Sequence, residues 1–176
     1  MRISGSIVPA LSIVPALVSI TALACVDLVE PPAAEGPSFG LAVPGHAAVG
    51  SGHVQSPAGL REFTFHALES PSGDASGSYK VVLASGLFFE ADVTCLAVDG
   101  NTGWVAGTIR ATNAAAVVLG SVSTFFAVDN GEGGEAADIV SLAAFNLADG
   151  ADLAFCDERP LALPQLSVTD GNVQVR

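Results

Sequence analysis

Four carboxylates, an asparagine and three glycines crowd the segment Val128–Asp138, the stretch of this chain whose residue types best suit ligand chemistry. Asp129, Asn130, Glu132 and Asp138 offer side-chain oxygens, and the glycines between them let the backbone wrap. That is a composition for Ca²⁺, which takes about six to eight oxygen ligands. The EF-hand pattern nevertheless fails when counted from Asp129. Gly131 and Gly133 stand where the third and fifth positions need oxygen ligands, and Val140 replaces the closing Glu. Only Gly134, at the sixth position, agrees. The competing reading is a polar hairpin loop between buried strands, with Asn130-Gly131 supplying positive φ angles.

Three cysteines form the second group. Cys25 follows an uncharged run from Ile3 to Ala24, while Cys95 and Cys156 lie far downstream. If Cys25 is lipidated, the other two make an even number in an oxidising compartment, which favours a Cys95–Cys156 disulfide. Closing a loop of about 60 residues contributes roughly 4 kcal/mol on the chain-entropy estimate. The alternative is a pair of free, buried thiols.

Other chemistry finds little support. His46, His53 and His66 are the three histidines. A hairpin turning at Pro57-Ala58 sets His53 beside Glu62 and His66 beside Val49, so they do not converge on a zinc ion. Gly50-Ser51-Gly52 lacks the flanks of a nucleophile elbow. Glu90 and Asp92 share a strand face, but an outer one. Phosphate loops, dinucleotide fingerprints and Cys-x-x-Cys pairs are absent from the sequence. No enzyme activity is expected, and no cofactor other than a possible Ca²⁺.

The leader sets the context in which these groups act. Arg2 is followed by an apolar stretch with no charge before Asp27. Pro9 and Pro15 interrupt it, which speaks against a retained transmembrane helix and for a cleavable signal. Ala22-Leu23-Ala24 suits release of a soluble protein. Ala24-Cys25 instead resembles a bacterial lipobox, with Ala22 departing from the usual Leu, and makes Cys25 an acylated N-terminus. Residues 1–24 are read as the signal and 25–45 as a tether built on Pro31, Pro32, Pro37 and Pro44. Residues 46–176 form the domain. Cleavage removes Arg2 and leaves all 18 acidic residues. Such a field repels phosphate backbones and anionic headgroups, so no nucleic acid is expected and membrane contact is through the lipid alone. A protein or small-molecule partner remains open. The expected location is the bacterial outer membrane, periplasm or cell surface, or the medium if Cys25 is not acylated.

The elements that must position these residues have period two. Strands are predicted near 47–55, 61–68, 77–84, 87–98, 103–111, 118–128, 138–146 and 166–175, separated by Gly- and Asp-rich breaks. The fold class is therefore all-β, a single antiparallel barrel or sandwich of about eight strands. In 87–98 the odd positions are apolar, and in 103–111 Val105 and Ile109 are. Matching those faces predicts a three-residue loop, Gly100-Asn101-Thr102, with Asp92 opposite Arg110 and Cys95 pointing inward. Trp104 then projects outward beside Val98, to anchor a partner or sugar or to be covered by a neighbouring loop. Ala148–Cys156 is predicted as a short helical turn over a barrel end.

From Gly50 onward the chain resembles an uncharacterised group of exported bacterial β-domains. The matching pieces are Gly52-His53-Val54, Phe63-Thr64-Phe65, Val93-Thr94-Cys95-Leu96, Val98-Asp99-Gly100-Asn101, Val128-Asp129-Asn130-Gly131-Glu132-Gly133 with Asp138, and Gly171-Asn172-Val173-Gln174-Val175. Arg176 departs from an expected His. The resemblance implies a compact β-fold and export, and it supplies no catalytic residues. Together these readings describe a lipid-anchored, non-enzymatic β domain with a binding or structural role at the cell envelope. The alternatives are a lipocalin-like carrier, which needs a hollow interior, and a Ca²⁺-dependent adhesion module.

Overall fold

Alternation of apolar and polar residues builds the first half of the domain. The computed structural model describes residues 45–131 and 136–176. Strand β1 (His46–Ser56) runs into β2 (Gly59–Glu69) through the two-residue turn Pro57–Ala58, pairing His53 with Glu62 and Val49 with His66 as expected. Phe63, Phe65 and Ala67 on β2 face inward, with Glu62, Thr64 and His66 outside. β3 (Ala75–Leu83), β4 (Phe88–Asp99), β5 (Thr102–Thr112) and β6 (Val122–Val128) follow as antiparallel neighbours. The chain then makes β7 (Ile139–Ser141), β8 (Ala144–Leu147), helix α1 (Ala151–Glu158) and β9 (Gln165–Val175). β9 pairs with β1 on one side and β7 on the other, and β7 pairs with β6. Eight strands thus close into an antiparallel barrel, and β8 is an extra strand on β6. The structure selects barrel over sandwich. Among the described residues no helix is long and apolar enough to cross a membrane.

Eight strands leave an interior just wide enough for side chains to fill. Phe63, Phe65, Tyr79, Phe89 and Phe125 occupy it, with Phe125 packed edge-on against both Phe65 and Tyr79 at centroid distances of 5.2 and 5.0 Å. Tyr79 keeps its one polar atom paired by donating to the Ser123 carbonyl at 2.8 Å.

The β4–β5 hairpin corrects the predicted register. Its loop is Gly100-Asn101, with Asp99 facing Thr102, and two bulges interrupt the ladder, between Glu90 and Ala91 and between Val93 and Cys95. A bulge adds one residue to one strand and shifts the side-chain phase. Val93 points inward, Thr94 is exposed, Cys95 faces outward beneath α1, and Leu96 resumes the interior. Cys95 is therefore not inward. Asp92 pairs with Thr108 rather than Arg110, yet Arg110 still reaches Asp92 at 3.2 Å by leaning along the strand. Gly107 sits opposite Val93 beside this bulge, where any Cβ would run into the Asp92 carbonyl and the Tyr79 ring.

Three further boundaries differ from expectation. Residues 118–121 form a turn, with Gly120 at φ 81° and Ser121 N–H donating to the Val118 carbonyl at 3.3 Å, so β6 begins only at Val122. The predicted 138–146 strand breaks in two after Ser141. There the Ser141 hydroxyl accepts the Phe126 N–H at 2.9 Å, and Leu142 N–H turns away to the Pro164 carbonyl at 2.7 Å. Helix α1 lies on the outer wall of β4–β6 rather than over a barrel end. Its Phe155 and Cys156 pack against Cys95, Trp104, Ala106 and Phe126.

Candidate functional site

The acidic segment is placed by β6 on one side and β7 on the other, and two of its carboxylates turn toward β9. The β1–β9 ladder engages alternate β9 amides through pairs such as Arg176 N–H to the Ala47 carbonyl at 2.9 Å. Val173 and Val175 therefore aim their N–H groups the other way, toward β7. But β7 is only three residues long and pairs with β9 no further than Ser167. The Asp138 and Asp129 carboxylates fill that gap. Asp138 Oδ2 accepts the Val173 N–H at 2.7 Å, and Asp129 Oδ2 accepts the Val175 N–H at 3.1 Å. Their other oxygens close the loop itself. Asp138 Oδ1 takes the Asn130 N–H at 2.8 Å, and Asp129 Oδ1 takes the Gly131 N–H at 2.9 Å. The Asn130 side chain donates to the Ala137 carbonyl at 2.7 Å. Gly131 has φ 85°, while Asn130 does not join it in the left-handed region, a correction to the expected turn.

Each described carboxylate oxygen in the segment thus serves a backbone donor. Glu132, the remaining candidate ligand, lies outside the described residues. Among the described residues no three His, Cys, Asp or Glu side chains come together as a metal site. What the geometry does is mechanical: the segment substitutes for missing strand hydrogen bonds at the barrel's shortest wall.

Cys95 and Cys156 are disulfide-bonded, with Cα atoms 6.4 Å apart, joining β4 to α1. Both are nearly enclosed by the outer cluster. Thr94 donates to Asp152 at 2.7 Å, a second tie between the same elements. Trp104 projects outside the barrel as expected, facing Ala97 rather than Val98. It is buried, and its indole Nε1 donates to the Pro160 carbonyl at 3.0 Å, so the covering-loop reading holds. Cys25 lies outside the described residues.

The histidines stay apart. His46 meets Glu69 at 2.6 Å, His53 approaches Asp170 at 3.5 Å, and His66 is exposed. Glu90 and Asp92 both face Arg110 on the outer wall, at 2.9 and 3.2 Å. The Glu90 hydrogen bond, followed by the Asp92 charge, raises the Arg110 pKa. Such an exposed cluster orders the wall and contributes little energy.

Arg61 was missed by the sequence reading. It occupies an inward phase on β2 two residues before Phe63, and that alternation was its available signal. Its Nε donates to the Ser56 hydroxyl at 3.0 Å, and Ser56 in turn donates to the Gly59 carbonyl at 2.8 Å. Arg61 and the inner-face residues Val54, Phe63, Val81 and Leu166 line a recess of about 30 Å³. That volume holds one or two water-sized groups.

No family model, curated protein or solved structure matches this chain.

Proposed function

We propose that this chain is an exported β-barrel domain that loses residues 1–24, is held to a bacterial membrane through acylated Cys25, and works by binding or display rather than catalysis. The observation that carries the reading is the Cys95–Cys156 disulfide. Such bonds persist in oxidising compartments and are rare in cytosolic proteins. An acidic, disulfide-stapled barrel behind an apolar leader and a Pro-rich stretch suits the periplasm or cell surface. Residues 25–45 then act as the tether that lets the domain stand clear of the lipid. The packed interior supports recognition at the barrel's outer surfaces and ends rather than carriage of a large apolar ligand in the lumen.

The test is the intact mass of the protein extracted from the membrane fraction. The expected species begins at Cys25, carries fatty acyl groups and lacks the hydrogens lost to one disulfide. Recovery of the full-length polypeptide from cytoplasm with all three thiols free overturns the proposal.

A further inference from the structure

One end of the barrel holds a cation without an anion. Arg61 lies near the Pro57–Ala58 turn and lines the apolar recess together with Val54, Phe63, Val81 and Leu166. Ser56 engages its Nε at 3.0 Å, while its two Nη groups make no hydrogen bond or ion pair with any described residue. The other described cations are all accounted for. Arg110 meets Glu90 and Asp92, Arg159 approaches Asp99 at 3.9 Å, Arg176 donates to Gln174 at 2.9 Å, and Lys80 lies 4.9 Å over the Phe88 ring. Among the described lysines and arginines Arg61 is the one whose terminal nitrogens meet no carboxylate, amide or ring. This is in a chain with 18 acidic residues against 6 basic ones. Partial burial lowers its pKa, the response of a charge removed from water without compensation.

We propose that this recess binds a short-chain carboxylate. The planar guanidinium presents its free Nη hydrogens as a fork that matches a carboxylate in two parallel hydrogen bonds. The apolar walls take the hydrocarbon end, and the recess of about 30 Å³ limits that end to a few carbons. A phosphate fits less well. It brings three acceptor oxygens and nearly two charges to apolar walls where Arg61 is the unpaired cation, the other lining cation, Lys80, being held over the Phe88 ring. A monoanion with a small apolar tail uses everything the recess offers. The site goes beyond the envelope reading and stands or falls separately from it, because neither export nor acylation enters the geometry.

The experiment is a titration of the full-length, isotopically labelled protein followed by amide resonances, with sodium propionate, propionamide and inorganic phosphate at matched ionic strength. Propionate is expected to give saturable shifts centred on Val54, Arg61, Phe63 and Leu166. Propionamide, its neutral counterpart, should bind about tenfold or more weakly, since the charge-assisted pair is lost. Lengthening the acid to octanoate should bring no gain in affinity. Arg61→Gln should abolish the saturable shifts, and Arg61→Lys should weaken them by removing the fork while keeping the charge. The proposal is overturned if propionate and propionamide shift the spectrum equally, if phosphate matches propionate, or if Arg61→Gln still binds. The comparison between acid and amide on the unmodified protein decides the matter even where a variant fails to fold.

Discussion

Asp138 Oδ2 accepts the Val173 N–H at 2.7 Å across the seam of the barrel, 35 residues away in sequence, where a strand carbonyl would ordinarily stand. The same carboxylate holds the Asn130 N–H through its other oxygen. Asp138→Ala strips partners from two backbone donors, one of them buried. The expected loss of stability is about 3 kcal/mol, read from denaturant unfolding. Hydrogen exchange should accelerate first at Val173. Asp129→Ala, which frees the less buried Val175 N–H, should cost about half as much. Equal protection at Val173 with and without Asp138 would refute the latch.

The disulfide makes a separable prediction. Reduction frees a loop whose ends are 61 residues apart, and the chain-entropy estimate puts the loss near 4 kcal/mol. Because Trp104, the one tryptophan, packs in the cluster around both sulfurs, its fluorescence should report the change directly. Thermal unfolding with and without reductant, with Cys95→Ala/Cys156→Ala as control, measures the effect. An unchanged midpoint on complete reduction would contradict it.

Tyr79 predicts an alkaline limit. Burial raises its phenol well above the ordinary tyrosine range, so the folded protein keeps the proton that an unfolded chain releases near pH 10. A folded pKa raised above the unfolded one gives stability that is fully present below pH ~10 and lost above it. The slope is about 1.4 kcal/mol per pH unit for this group. Tyr79 is the only tyrosine, so tyrosinate absorbance should appear together with unfolding rather than before it. Tyr79→Phe should remove this slope while costing about 1 kcal/mol at neutral pH through the lost bond to the Ser123 carbonyl. Tyrosinate forming in a folded barrel near pH 10 would be the contrary result.

These relationships differ in how far residue patterns announce them. The β1–β2 pairing follows from alternation around Phe63 and Phe65 with a Pro57–Ala58 turn, and it appears in register as expected. The β4–β5 pairing does not, because Val93, Cys95 and Leu96 are all apolar and nothing in their types reveals that the phase flips at Thr94. The inward assignment of Cys95 failed for that reason alone. The acidic segment was legible as a loop rich in oxygen donors. Its work as a substitute strand was not, since it depends on β7 ending after three residues and on β9 lying beside it. Arg61 was hidden by the habit of reading charge as surface, although its spacing from Phe63 places it on the inner face.

A packed lumen has a test of its own. Phe125 meets Phe65 and Tyr79 edge-on at the centre of the barrel. Truncation to Ala removes a large buried ring from walls that cannot collapse freely, and the expected cost is about 3–5 kcal/mol. The vacated space is apolar and enclosed, so Phe125→Ala should take up benzene or indole, whereas the unmodified protein should not. Thermal shift in the presence of these probes measures both statements, since a ligand that binds the native state raises the midpoint. A lumen hollow enough for a carrier would behave otherwise. The unmodified protein would gain stability from a long-chain apolar ligand, and Phe125→Ala would add little to what was already bound.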